Sequence, residues 1–136
     1  PRLHTLKHGW IDWGWSGEEI ERFICAFDEP YAGASTFLGD MRVFLKDARL
    51  ETNDGPFHPF QSGLIYKKAN SALFVCAREG ALVIRKASGE GGRNILDDLV
   101  IGSRFHTPAR LLEEARRCRA DYDAAGPSSS QRRETA

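Results

Sequence analysis

Ala72-Leu73-Phe74-Val75-Cys76-Ala77-Arg78-Glu79-Gly80-Ala81-Leu82-Val83-Ile84-Arg85-Lys86-Ala87 reads as strand, turn, strand. Two short runs, Ala72 to Arg78 and Ala81 to Ala87, are broken at Glu79-Gly80, a dipeptide suited to a hairpin turn. Upstream, Ser62 to Lys68 is another such run, separated from Ala72 by a second turn at Asn70-Ser71. Further back, Met41 to Leu50 alternates with period two: Val43 and Leu45 lie on one face, with Arg42, Phe44 and Lys46 on the other. Downstream, the glycine-rich Ser88-Gly89-Glu90-Gly91-Gly92 loop leads to an expected short strand over Asp98 to Gly102. Several short strands at this spacing predict a mainly-β fold, a small closed or partly open antiparallel barrel rather than a parallel sheet.

Helices are expected on either side of the strands. Ser16-Gly17-Glu18-Glu19 has the form of a capping box, with Ser16 as N-cap and Glu19 returning a bond to its amide. Ile20, Phe23, Ile24 and Phe27 then follow at i, i+3, i+4 and i+7, the apolar stripe of an amphipathic helix that Asp28-Glu29-Pro30 ends. The acids Glu18, Glu19 and Glu21 sit where the helix dipole favours negative charge. A last helix opens at Thr107-Pro108, with the proline at N1, and carries a narrow stripe of Leu111, Ala115, Cys118 and Tyr122. Gly126-Pro127 stops it, and Ser128 to Ala136 reads as a disordered tail.

The chain has 136 residues, enough for one domain, with 41% apolar and 28% charged residues. No run approaches the roughly 20 apolar residues of a membrane span. The 19 basic residues balance 19 acidic ones, which removes the simplest argument for nucleic-acid binding. Charge is unevenly spread: residues 1–34 sum to −3, 35–106 to +2 and 107–136 to +1. Three scattered cysteines without a CxxC pair suit reduced thiols in the cytosol, with Cys25 and Cys76 expected in the core. His4, His8, His58 and His106 have no metal-ligand spacing, and no metal is expected.

Candidate binding features are few. Three indoles in Trp10-Ile11-Asp12-Trp13-Gly14-Trp15 are expected to pack the approach to the first helix, with stacking on a planar ligand as the functional alternative. The turn Glu29-Pro30-Tyr31-Ala32-Gly33-Ala34 either serves structure alone or presents Tyr31 to a ligand. The Ser88–Arg93 loop lacks the Lys-Ser/Thr of a P-loop and opens no helix, so it is expected to be a flexible connection rather than a phosphate cradle. Phe57, Phe60 and Tyr66, with Lys67 and Lys68, could form an aromatic and basic platform for nucleic acid, although Phe57-His58-Pro59-Phe60 is expected to pack under the barrel.

The order and spacing of residues 9–34 resemble one known family. Trp10-Ile11-Asp12-Trp13, then Ser16 through Glu18-Glu19-Ile20-Glu21-Arg22-Phe23-Ile24-Cys25-Ala26-Phe27, then Pro30-Tyr31-Ala32-Gly33-Ala34, are similar to the C-terminal domain of formyltransferases. Methionyl-tRNA formyltransferases and nucleotide-sugar N-formyltransferases are its members. From Met41 to Gly102 the likeness is one of strand pattern. Cys25 stands where the family usually has arginine, and Ala32 replaces the second proline of a Pro-Tyr-Pro-Gly-Ala turn.

The resemblance implies a small open Greek-key (OB-like) barrel with one helix before and one after. It implies that residues 1–15 are a linker from an N-terminal formyl-transfer domain, with 16–125 the C-terminal-like domain and 126–136 the tail. The family's catalytic groups and its 10-formyltetrahydrofolate belong to the N-terminal domain, so no residue here is expected to be catalytic and no cofactor is expected on this chain. Trp13 and Tyr31 are the candidate substrate-binding residues. The partners implied are the N-terminal domain and an amine acceptor in the cytoplasm, a nucleotide-linked amino sugar being preferred over tRNA because the barrel segment is only +2. The alternative is a stand-alone OB-like module for nucleic acid or a protein partner.

Overall fold

The computed structural model describes residues 8–125, with side chains to residue 117. Residues 1–7 of the expected linker and the expected tail from 126 onward lie outside the described residues, as do the side chains of Cys118 and Tyr122. Six strands form one antiparallel sheet: β1 (Ala34–Leu38), β2 (Met41–Glu51), β3 (Ile65–Ala69), β4 (Ala72–Cys76), β5 (Ala81–Ser88) and β6 (Phe105–His106). Their spatial order is β3-β4-β5-β2-β1-β6. Both expected turns are present. Asn70 (φ 54°) and Ser71 (φ 61°) take the left-handed conformations of a two-residue hairpin turn, and the Ala77 amide donates to the Gly80 carbonyl at 2.8 Å.

A seam brings the outer strands together. Leu64 bridges to Arg104, just ahead of β6. On one side of this segment Gly63 N donates to Cys76 O at 2.9 Å. On the other, Ile65 N donates to Ser103 O at 2.9 Å and Phe105 N to Gly63 O at 2.8 Å. Residues 63–65 therefore hydrogen-bond both ways, curling the sheet into a barrel-like body around Val43, Leu45, Ile65, Leu82, Ile84 and Phe105, all buried. The expected strand over Asp98 to Gly102 does not form. Leu96–Asp98 is a single 3-10 turn, and Val100 and Ile101 sit on an exposed turn, 63% and 54% accessible. The strand on the other edge of β1 is instead Phe105–His106, which pairs with Phe37 and Leu38 while the Phe105 amide bonds the seam at Gly63.

Helix α1 (Gly17–Ala26) starts as expected. Ser16 Oγ accepts from the Glu19 amide at 3.1 Å, and Glu19 Oε1 accepts from the Ser16 amide at 3.0 Å. These bonds hold the exposed Glu19 carboxyl below its ordinary value, the Ser16 amide contributing most. Ile20, Ile24 and Phe27 are buried, but Cys25 lies on the outer side of the helix and is exposed, contrary to its expected place in the core. Cys76 is buried as expected. Along β2, strand β1 reaches only Met41–Leu45, so the next stretch of β2 has no strand beside it on that edge. Carboxylates of α1 and its exit satisfy it: the Leu50 amide donates to Glu21 Oε2 at 2.9 Å and the Asp47 amide to Asp28 Oδ2 at 2.8 Å.

The tryptophans pack as expected. Residues 9–11 take the edge of β1 that β6 leaves open, with Ile11 N donating to Ser35 O at 2.9 Å. Trp10 stacks on Phe37, with ring centres 5.5 Å apart. Trp15 sits edge-on to Phe23 at 5.0 Å. The last helix, α2 (Ala109–Ala125), begins one residue later than expected. Pro108 stands outside it, and its carbonyl accepts from the amides of Leu111 and Leu112.

Candidate functional site: a lysine-lined groove on β2 and β5

The cross-strand register of β2 and β5 builds the site. Phe44 lies opposite Ser88, and Lys46 lies opposite Lys86. Positions two apart on a strand share a face, so these four side chains form one patch on the outside of the sheet, while Leu45 and Ala87 point into the core. Two walls rise beside the patch. One is the turn after α1, which contributes Glu29 and Ala32; the other is the loop after β5, which contributes Gly89, Gly92 and Asn94. The space they enclose is about 430 Å³.

Each wall is held locally. Gly33, at φ +116°, lets the turn lie directly on β2: a Cβ there would stand 3.2 Å from Phe44 Cβ and 3.3 Å from Lys46 Cγ. Glu29 Oε2 meets Lys46 Nζ at 2.7 Å, clamping turn to strand. The glycine-rich loop, expected as a flexible connection, is a closed turn. Gly89 N donates to Arg93 O at 2.9 Å, Gly92 N to Gly89 O at 3.1 Å, and Ser88 bridges to Asn94. Phe44 is 7% exposed because the Arg42 guanidinium lies over it at 4.9 Å, with the Trp10 ring 4.2 Å from the same group. Arg42 also donates to Ser35 Oγ at 3.0 Å.

The two residues singled out for substrate binding lie apart from the groove lining. Trp13 is a core residue, 7% exposed: its Nε1 donates to Thr36 Oγ1 at 2.9 Å, and its ring stacks on Phe105 at 5.7 Å. Thr36 is fixed in turn by the His106 carbonyl at 3.0 Å and the Thr107 hydroxyl at 2.9 Å. Tyr31 is half-buried on the turn beside Ala32, its amide donating to Asp28 O at 2.9 Å and its ring 6.2 Å from Phe27.

The aromatic cluster on β3 and β4 is largely self-contained. Phe57 packs on Tyr66 at 5.0 Å, Tyr66 on Phe74 at 6.3 Å, and Lys67 Nζ lies 4.6 Å above Phe74. Tyr66 donates to Asp54 Oδ2 at 2.5 Å; burial, then this bond, pushes its phenol well above the ordinary range. Lys68 donates to the carbonyls of Asp97 and Leu99. Phe57 packs as expected, but Phe60 does not lie under the barrel. It is 68% exposed on its short 3-10 turn, with its carbonyl bonded by Arg104.

Nucleophile chemistry finds no support in the two described thiols. Burial raises the pKa of Cys76, and partial desolvation at the helix surface together with the nearby carboxylates of Glu21, Asp28 and Asp47 raises that of the exposed Cys25, both opposite to the shift an activated cysteine needs. Among the described residues, no group of three or more His, Cys, Asp or Glu is placed to hold a metal, and no helix is long and apolar enough to cross a membrane. Reading the sequence placed Arg42, Phe44 and Lys46 on one face but could not name Lys86 and Ser88 as their neighbours. That pairing is a matter of register between strands far apart in the chain.

Known proteins share this architecture. A sequence model described as the formyl transferase C-terminal domain matches residues 5–100. Over 104 residues the chain is 30% identical to a methionyl-tRNA formyltransferase of Marinobacter nauticus, covering 74% of this chain and 31% of that protein. A methionyl-tRNA formyltransferase of Dechloromonas aromatica is 28% identical over 106 residues, covering 73% and 33%. The chain thus spans about a third of the length of these relatives. In three dimensions it is similar to HypX from Aquifex aeolicus, solved in complex with tetrahydrofolic acid, with a TM-score of 0.54 and 21% identity over 85% of this chain and 18% of that one. Barrel, capped helix and motif-bearing turn agree with the match, and the chain belongs to the formyl transferase C-terminal domain family.

Proposed function

We propose that this chain is the non-catalytic, acceptor-side domain of a 10-formyltetrahydrofolate-dependent formyltransferase of the cytoplasm. Its role is to brace or complete the site for an amine that receives the formyl group, in partnership with an N-terminal formyl-transfer domain. The observation that carries this reading is the family match over residues 5–100, which includes the turn that walls the groove. The folate itself fits poorly here: Phe44, the aromatic residue of the groove, is 7% exposed and covered by Arg42, leaving no open face for a flat pterin. Folate binding is expected on the N-terminal formyl-transfer domain instead. Tyr31 is the candidate acceptor contact, while Trp13 acts from beneath, through Thr36, on the position of β1 and β6.

A small amine such as a nucleotide-linked amino sugar is the preferred acceptor, since residues 35–106 carry only +2 and phosphate neutralisation dominates tRNA binding. Methionyl-tRNA is the second reading, favoured by the names of the two relatives. Fluorescence anisotropy of labelled methionyl-tRNA with this chain tests the choice. Negligible binding at physiological salt is expected. Sub-micromolar affinity falling steeply with salt would overturn the small-acceptor reading. The domain role is tested in the gene, where the region coding upstream of Pro1 is expected to specify a formyl-transfer domain; a start codon immediately before Pro1 would refute it.

A further inference from the structure

We propose that the groove on β2 and β5 binds the phosphoryl groups of a small diphosphate ester, with Lys46 and Lys86 as the cations that hold it. Charge is the first ground. Lys46 and Lys86 face each other directly across the β2–β5 ladder. Like charges in that position repel, and strands usually set opposite charges there. The groove lining holds one carboxylate, Glu29, already engaged by Lys46 at 2.7 Å. Arg85 also borders the groove, and among the described residues the side chains of Arg85 and Lys86 make no ion pair or hydrogen bond. The lining therefore keeps a positive surplus that an anion would relieve. The same surplus argues against a metal cation.

Shape is the second ground. Lysines on adjacent strands stand roughly 5 Å apart at Cβ. A phosphoryl group, with oxygens on every side, can bridge two ammonium groups at that spacing more completely than a carboxylate can. Ser88 and Asn94 add neutral hydrogen-bonding groups on the far side. The volume, about 430 Å³, falls in the range of small-molecule sites. Walls on two sides, the 29–32 turn and the 89–94 loop, admit a compact ligand more readily than a continuous polynucleotide backbone. That this ligand is the phosphorylated half of the formyl acceptor rests on the role proposed above.

The test titrates the chain with inorganic pyrophosphate and with a nucleoside diphosphate by calorimetry at low salt. A Kd below about 1 mM is expected for both. Lys86→Ala should weaken it about tenfold and Lys86→Arg should largely restore it. Lys67→Ala, on β3 over Phe74, should bind as the parent does. Circular dichroism verifies that each variant is folded, and Lys86 is exposed, so its loss should leave the fold intact. Three results would overturn the site: no heat of binding up to 10 mM pyrophosphate, equal loss in Lys67→Ala and Lys86→Ala, or Lys86-dependent binding of tRNA without binding of either diphosphate. Anion binding requires no formyl transfer. Diphosphate binding in a protein that lacks any formyltransferase role would uphold the site and remove only its assignment to the acceptor.

Discussion

Gly63→Ala is the most direct test of the barrel seam. Gly63 has φ +92°, and a Cβ there would fall well inside contact distance of the Phe105 carbonyl oxygen. The backbone conformation alone costs a non-glycine residue roughly 1–3 kcal/mol. Relieving the overlap requires residues 63–65 and 103–105 to separate. That endangers the Phe105 N to Gly63 O and Ile65 N to Ser103 O bonds, each worth about 1 kcal/mol net. The expected loss is about 3–5 kcal/mol, a large share of the roughly 5–15 kcal/mol that stabilises a domain. Gly39→Ala is the control. Gly39 also has positive φ (+64°) but has no atom within 4 Å of a Cβ, so about 1 kcal/mol is expected. Urea unfolding followed by circular dichroism measures both, and amide exchange at Ile65 and Phe105 reports the seam locally. If the two variants lose the same stability, or exchange at the seam is unchanged in Gly63→Ala, the seam does not close as described.

Two further outcomes follow from the core and the aromatic cluster. Trp13→Phe removes the bond to Thr36 and leaves space against Phe105, an expected loss of about 2 kcal/mol in urea unfolding; a stability equal to the parent would refute the packing role. Tyr66 has its pKa raised by burial and by its bond to Asp54, so the folded state favours the neutral phenol. Its contribution to stability is whole below the unfolded value of about 10 and declines as pH climbs above it. Tyr66→Phe should therefore show a shallower loss of stability between about pH 9 and 12, by up to one proton in the linkage slope, and identical slopes would rule the effect out.

Much of the fold is legible in local chemistry. The capping box at Ser16 and Glu19, the stripe Ile20, Ile24 and Phe27, and the turn at Asn70-Ser71 each act over a few residues, and the structure has all of them. Cys25 misled because one position of helical phase separates the buried stripe from solvent, and a small apolar residue is tolerated on either side. Asp98 to Gly102 misled because an apolar run has strand character only if a neighbouring strand receives it; at Val100 and Ile101 none does. Phe60 shows the same limit, since what covers a loop side chain depends on segments distant in the chain.

The sequence by itself determined the family, the capped helix, the hairpins of β3, β4 and β5, and the packing of the tryptophans, because periodicity, caps and turn residues act locally. Tertiary structure alone decided the groove. Phe44 meets Ser88 and Lys46 meets Lys86 through the register of β2 on β5, which the turn at Gly33 and the loop at 89–94 then enclose. Register comes from the summed packing of both faces of the sheet rather than from any residue in the site, and a shift of one position would send Lys86 to the core side of the sheet.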